Sequence, residues 1–247
     1  MLKTAISGNI VRNSHSHVVN ELGKAIVGGL YPSGSLMPGD AELADRFAVS
    51  RTVLREAMKT LTAKGLVIPR ARVGTRVTER TRWNLFDADV LTWHLESGID
   101  GQFITHLSEI RLAFEPYAAR LAARHATSQD VAAMVEATEK MRTATSMESF
   151  ALADLEFHLA MLAAAKNPFL YSLGNLIEAA LVTSFKLSSP FGEPERHLRT
   201  AMRHRHIADA IAQGDPDAAA SAVSTVIIDG KERVADRVAT TSLERLG

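Results

Sequence analysis

The sequence predicts a mainly α-helical protein in two parts: an N-terminal winged helix-turn-helix, then an all-α bundle of six or seven helices. Three observations carry that expectation. Charge is divided, because residues 1–82 hold 13 Lys+Arg and 6 Asp+Glu, net +7, whereas residues 83–247 hold 15 and 22, net −7, in a chain whose total is zero. The basic part shows short helical patterns followed by two strand-like runs, and from Trp83 onward Ala, Leu, Glu and Arg dominate with few strand-like stretches. At 247 residues, 46% hydrophobic and 23% charged, the chain is long enough for two domains, expected at 1–80 and 84–240 with Glu79–Arg82 as a polar hinge.

The elements follow in order. Val18, Leu22, Ala25 and Ile26 mark a helix over Val18–Val27, stopped by Gly28-Gly29. Past the turn Tyr31-Pro32-Ser33-Gly34, a short helix spans Ala41–Phe47 with Leu43, Ala44 and Phe47 on one face. Ser50 is an N-cap, Val49 can staple onto Leu54, and a helix starts at Arg51 with Leu54, Met58 and Leu61 inward. Lys64-Gly65 ends it, and Leu66–Ile68 and Val73–Val77 form a two-stranded wing. The remainder divides into helices over Ala88–Ser97, Gly101–His125, Ser128–Thr145, Ser149–Ala165, Pro168–Leu187, Glu193–Gln213 and Pro216–Thr240, with breaks at Gly98, Asn167-Pro168, Ser189-Pro190 and Gly214–Pro216.

Composition excludes several classes. No cysteine is present, so neither disulfides nor cysteine-ligated zinc or iron–sulfur centres can form. Met1–Asn13 lacks a long apolar run, so neither a secretory signal nor a membrane span is expected, and the cytoplasm is the default location. No nucleophile motif or glycine-rich phosphate loop is found.

On the helix from Arg51, the residues Arg51, Arg55 and Lys59 recur every fourth position, opposite the inward face. Such a stripe alone is more often a solvated surface than a reading face. A preceding helix-turn and a following basic wing reverse that judgement. Arg51 and Arg55 can then grip guanine edges, Thr52 a base or phosphate, and Lys59 a phosphate. Arg70, Arg72 and Arg76 crowd the wing around Gly74, within reach of backbone or minor groove.

The runs Pro38-Gly39-Asp40-Ala41-Glu42-Leu43, Val49–Ala57, Gly65-Leu66-Val67 and Gly74-Thr75-Arg76-Val77 resemble the winged helix of the GntR family. The resemblance implies operator contacts from Arg51, Thr52, Arg55 and the wing tip; a further contacting arginine of many members falls at Ala41, and the wing glycine near Arg72. The helical part resembles the FCD-type sensor domain of the FadR branch through Arg111, Glu115-Pro116, Asp154-x-x-x-His158, Asn167-Pro168 and His204. Trp83-Asn84, Asp87-x-Asp89-Val90-Leu91-x-Trp93 and Glu109-Ile110-Arg111 look most like galactonate-responsive repressors of sugar-acid operons. The resemblance therefore implies a repressor released by a small carboxylate effector, acting as a homodimer on a palindromic operator.

Independently, Asp154 and His158 stand one helical turn apart, a spacing that suits either a surface hydrogen-bonded pair or two metal ligands. With His204, the resemblance makes them a set for zinc, nickel or manganese. A further histidine of metal-binding members falls at Val226. Arg111 offers paired donors to an effector carboxylate, or a salt bridge to Glu115. The effector set expected is Arg111, Asp154, His158 and His204. Trp83 and Trp93 are assigned to packing. The rival function is a metal-dependent hydrolase or isomerase using Asp154, His158 and His204, which leaves the basic wing unexplained.

Overall fold

A computed structural model describes residues 13–97, 101–188 and 193–244. The breaks expected at Gly98 and Ser189-Pro190, and all but the end of Met1–Asn13, lie outside the described residues. The chain forms two compact units that part between Ile99 and Asp100.

The first unit begins with α1, Ser14–Val27, whose N-cap Asn13 side chain accepts from the Ser16 amide at 2.8 Å. Its inner residues Val18, Leu22 and Ile26 are essentially solvent-free. Helix α2, Asp40–Arg46, and helix α3, Arg51–Ala63, follow with a tight connection in which Ala48 adopts φ 51°. The Ser50 hydroxyl accepts from the Val53 amide at 3.2 Å, which caps α3 as the sequence predicts. Leu54, Ala57, Met58 and Leu61 of α3 are buried.

Strands β1, Val67–Arg70, and β2, Gly74–Val77, pair antiparallel with Val67 opposite Val77 and Arg70 opposite Gly74. Leu36 adds an isolated bridge to Arg76, so the segment before α2 borders the wing as well. Gly65 between α3 and β1 has φ 80°, and a Cβ there would lie 2.1 Å from the Arg82 carbonyl oxygen. Only glycine permits both the backbone conformation and that approach.

Helix α4, Ala88–Glu96, packs into this same unit. Its Val90 and Trp93 join the core of α1, α2 and α3, and Trp93 Nε1 donates to Asn20 Oδ1 at 2.8 Å. Gly23 on α1 admits the indole: a Cβ at that position would sit 2.5 Å from three ring atoms. The charge change near Arg82 thus comes earlier in the chain than the parting of the units, because acidic α4 residues neutralise lysines of the basic part. Lys64 pairs with Asp87 and Asp89, and Lys24 with Glu96, each at 2.8 Å.

The second unit is a bundle of α5 (Gly101–His125), α6 (Ser128–Arg142), α7 (Met147–Ala164), α8 (Pro168–Tyr171), α9 (Gly174–Ser188), α10 (Pro194–Ala212) and α11 (Pro216–Glu244). The single helix expected over Pro168–Leu187 is two. Asn167 caps a four-residue helix whose last turn closes on Ser172, and the chain restarts at Gly174, where a Cβ would meet Leu159 at 2.8 Å. Helix α7 is apolar on nearly every side and runs through the middle, against α5, α6 and α9. Asp154 and His158 are therefore core residues. No described helix is long and apolar enough to cross a membrane.

Gly23→Ala should destabilise the first unit by roughly 1–3 kcal/mol through overpacking against Trp93. Both tryptophans of the chain are buried in that unit. Tryptophan fluorescence during urea unfolding of the whole chain reads the loss directly, and an unchanged midpoint would contradict the packing described.

Candidate functional site

The first unit presents an exposed basic face on α3 and the wing. Arg51, Thr52, Arg55 and Lys59 all lie exposed on α3, on the side away from Leu54 and Leu61. Lys59 is ion-paired to Glu56 at 2.9 Å, whereas among the described residues nothing pairs with Arg51 or Arg55. The α3 arginines are thus free to meet a partner. At the wing tip Arg70, Arg72, Val73 and Gly74 are exposed, with Arg72 at φ 62° and Gly74 at φ 109°. Arg76, which the sequence groups with them, is turned back onto the Gly34 carbonyl. Ala41 is exposed on α2 and offers no polar group.

The second unit encloses a polar pocket lined by residues of α5, α7, α9, α10 and α11. Asp154 and His158 enter from α7, His204 from α10 and Arg111 from α5, and all four are at least nine-tenths buried. One ligand atom from each of Asp154, His158 and His204 falls within 4.8 Å of the others. The sequence spacing made Asp154 and His158 neighbours; the bundle adds His204. Val226 of α11 lines the same pocket, at the position where the sequence comparison expected another histidine.

The proton arrangement here is constrained. His204 Nδ1 lies 2.8 Å from the Thr200 carbonyl oxygen, which can only accept, so Nδ1 carries a proton. The other nitrogen, Nε2, faces Asp154 Oδ1 at 2.9 Å and His158 Nε2 at 3.4 Å. A neutral His204 would aim a lone pair at a carboxylate. A metal ion held between these atoms would relieve that repulsion, as would a proton shared between Nε2 and the carboxylate.

Glu115, fully buried one turn beyond Arg111, is a participant whose role sequence reasoning confined to a salt bridge. It does pair with Arg111, but its Oε2 also lies 2.8 Å from His158 Nδ1. Burial pushes its carboxyl up, and the Arg111 charge, with the contact to His158, more than reverses this, holding it at about 2. For Asp154, burial is likewise outweighed, chiefly by His204, and its carboxyl is held below the ordinary range.

Two further arginines reach the pocket, both outside the predicted set. Arg203 is paired with Asp229. Arg233 has its Nε buried without a hydrogen-bond partner, and burial lowers its pKa while Asp154 opposes the shift. His206 is exposed, and His197 points to the Met141 carbonyl at 2.6 Å, so neither belongs to the cluster. The enclosed space is about 40 Å³, room for an ion with water.

Comparison with known proteins matches residues 14–77 to the model of bacterial regulatory proteins of the gntR family, and residues 106–228 to the FCD domain. The chain is 37% identical to the galactonate operon transcriptional repressor of Escherichia coli over 223 residues, covering 90% of this chain and 97% of that protein. It is 32% identical to the transcriptional repressor NanR of Salmonella newport, over 84% of this chain and 80% of that one. In structure it is similar to Listeria monocytogenes Lar, with a TM-score of 0.65 at 21% identity, over 92% of this chain and 99% of the other.

The buried carboxylates set an acid limit. Glu115 titrates at about 2 in the fold against 4.5 ordinarily, so its stabilisation is complete above pH ~4.5 and is lost as pH falls toward 2. Asp154 acts in the same direction. Denaturant unfolding followed by circular dichroism should lose on the order of 3 kcal/mol across that interval from Glu115. Glu115→Gln should flatten the dependence; an equally steep loss in the variant would refute it.

Proposed function

Because the chain belongs to the gntR family of bacterial regulatory proteins and carries an FCD domain, we propose that it is an operator-binding repressor of a sugar-acid catabolic operon, released by a galactonate-like carboxylate. Like its relatives, the protein is a transcriptional regulator; an enzyme using Asp154, His158 and His204 is not favoured. One observation carries the ligand side of this reading: one ligand-type atom from each of Asp154, His158 and His204 converges within 4.8 Å beside Arg111.

In this reading Arg51 and Arg55 reach guanine edges in the major groove, Thr52 and Lys59 hold base or phosphate, and Arg70, Arg72 and Gly74 bring the wing against the backbone. A homodimer sets two such heads on a palindrome. Asp154, His158 and His204 would hold zinc, nickel or manganese; bound there, the ion would act as a Lewis acid for an effector carboxylate or hydroxyl. Arg111 supplies the opposing charge-assisted hydrogen bonds.

The pocket offers about 40 Å³, against the roughly 300–1,000 Å³ of sites that hold small organic ligands. A six-carbon acid enters only if the pocket widens. That requirement gives the effector a differential affinity for an opened arrangement, which is what an allosteric coupling of about 1–3 kcal/mol requires.

A mobility-shift titration on DNA upstream of the protein's own gene, with and without galactonate and before and after chelation, tests the whole reading. Release by galactonate that disappears on chelation is expected. A complex indifferent to every sugar acid would sink the effector assignment, and no complex at low salt would sink operator binding. Arg51→Ala and Arg55→Ala should each cost about 1–3 kcal/mol and relax the operator sequence, whereas Lys59→Ala should weaken all sequences alike and lower the salt slope by about 1. Equal losses on specific and random DNA for all three would contradict these roles.

A further inference from the structure

A metal-ligating histidine has to present a lone pair, and which ring nitrogen carries the proton is set by the partner of the other nitrogen. For His204 that partner is the Thr200 carbonyl. For His158 the partner is a carboxylate on a different helix. We propose that Glu115 is the positioning residue of this site: it keeps the His158 proton on Nδ1 and thereby leaves the Nε2 lone pair facing Asp154 and His204.

The neighbours on both sides of the ring demand this tautomer. Glu115 Oε2 lies 2.8 Å from Nδ1, and an ionised carboxylate only accepts. Arg111 Nη2 lies 3.5 Å from Nε2, and a guanidinium only donates. One neighbour therefore asks for a donor at Nδ1 and the other for an acceptor at Nε2. The contact is a close approach and not an aligned hydrogen bond, since Nδ1 is buried without a hydrogen-bond partner of full geometry; at 2.8 Å a bare lone pair on Nδ1 would still face the carboxylate, which a proton there avoids.

A plain counter-ion role would not require this placement. Glu115 meets the Arg111 charge through Oε1, which contacts Arg111 Nε, while Oε2 is 3.5 Å from Arg111 Nη2 and closer to the imidazole. One buried carboxylate thus orients two groups at once: the arginine that faces the pocket and the histidine beside it. Pro116 follows it directly, and the Phe157 ring stands nearly perpendicular to the rings of both His158 and His204.

This geometry makes Glu115→Gln an informative substitution. Arg111 Nε can only donate, so it retains the glutamine carbonyl oxygen where Oε1 stood. The amide nitrogen then takes the place of Oε2, against Nδ1. An amide N–H donates, so Nδ1 must accept and the proton moves to Nε2, where it caps the lone pair. The side chain keeps its size, and the variant is expected to retain its helical circular dichroism.

The metal consequence rests on the proposed metal reading of Asp154, His158 and His204; the tautomer does not. The test is nitrogen NMR of the full chain with labelled histidine, the His158 signals being assigned by their loss in His158→Asn, together with calorimetric titration of Zn²⁺ alone. The native chain should show a proton on Nδ1 of His158, Glu115→Gln a proton on Nε2, and the zinc affinity of the variant should fall about 10–100-fold. A native His158 protonated on Nε2 alone overturns the proposal without any variant. A Glu115→Gln protein that keeps the Nδ1 proton and the native zinc affinity overturns it too. If zinc binds neither protein, the metal reading fails, and the change of tautomer still decides the role of Glu115.

Discussion

The second unit is organised around a cluster of hydrogen-bond acceptors that face one another where water is scarce. Asp154, His158 and His204 are almost fully buried, and their inward-facing atoms lie within 4.8 Å. Burying such a group is unfavourable unless positive charge accompanies it. Arg111 supplies part of that charge, and its own burial is made tolerable by Glu115. The same need explains the helices: α7 can afford two polar residues in the core only because α5 and α10 bring partners to them. Stability and the proposed ligand response therefore draw on the same few side chains.

The DNA-facing unit solves the opposite problem, keeping cations exposed without letting them be consumed locally. Lys24 and Lys64 are neutralised by acidic residues of α4 and its N-cap, Arg76 is hydrogen-bonded to a backbone carbonyl, and Lys59 is paired in part with Glu56. Among the described residues Arg51, Arg55 and the tip arginines are left over, as are Arg80 and Arg82 of the hinge. Net charge counted along the chain overstates this surface, because it cannot tell a neutralised lysine from an available arginine. Most of the available ones lie on one helix and one turn.

Much of this was legible in the sequence. The N-cap Ser50, the Gly65 stop and the wing strands follow from local chemistry, and the structure places them as the pattern predicts. The spacing of Asp154 and His158 left a surface pair and a metal pair open, and burial of the largely apolar helix that carries them decides for the interior. What the sequence could not supply was contact across elements. His204 and Glu115 reach His158 only through helix packing, and Arg203 and Arg233 reach the pocket from α10 and α11 without any local signature. The break after Tyr171 was hidden for a similar reason: Gly174 is demanded by Leu159, a residue of another helix.

The docking of Trp93 on Gly23 bears on how the reading head could be handled as a portable part. A fragment ending at the charge boundary near Arg82 would omit Val90 and Trp93 and expose the apolar floor of α1, with Asn20 deprived of the indole N–H it now receives. Lys64, at the end of α3, would lose both of its carboxylate partners. The smallest self-sufficient head therefore extends through Glu96, and any chimaera that grafts this operator specificity onto another sensor should carry α4 along with it.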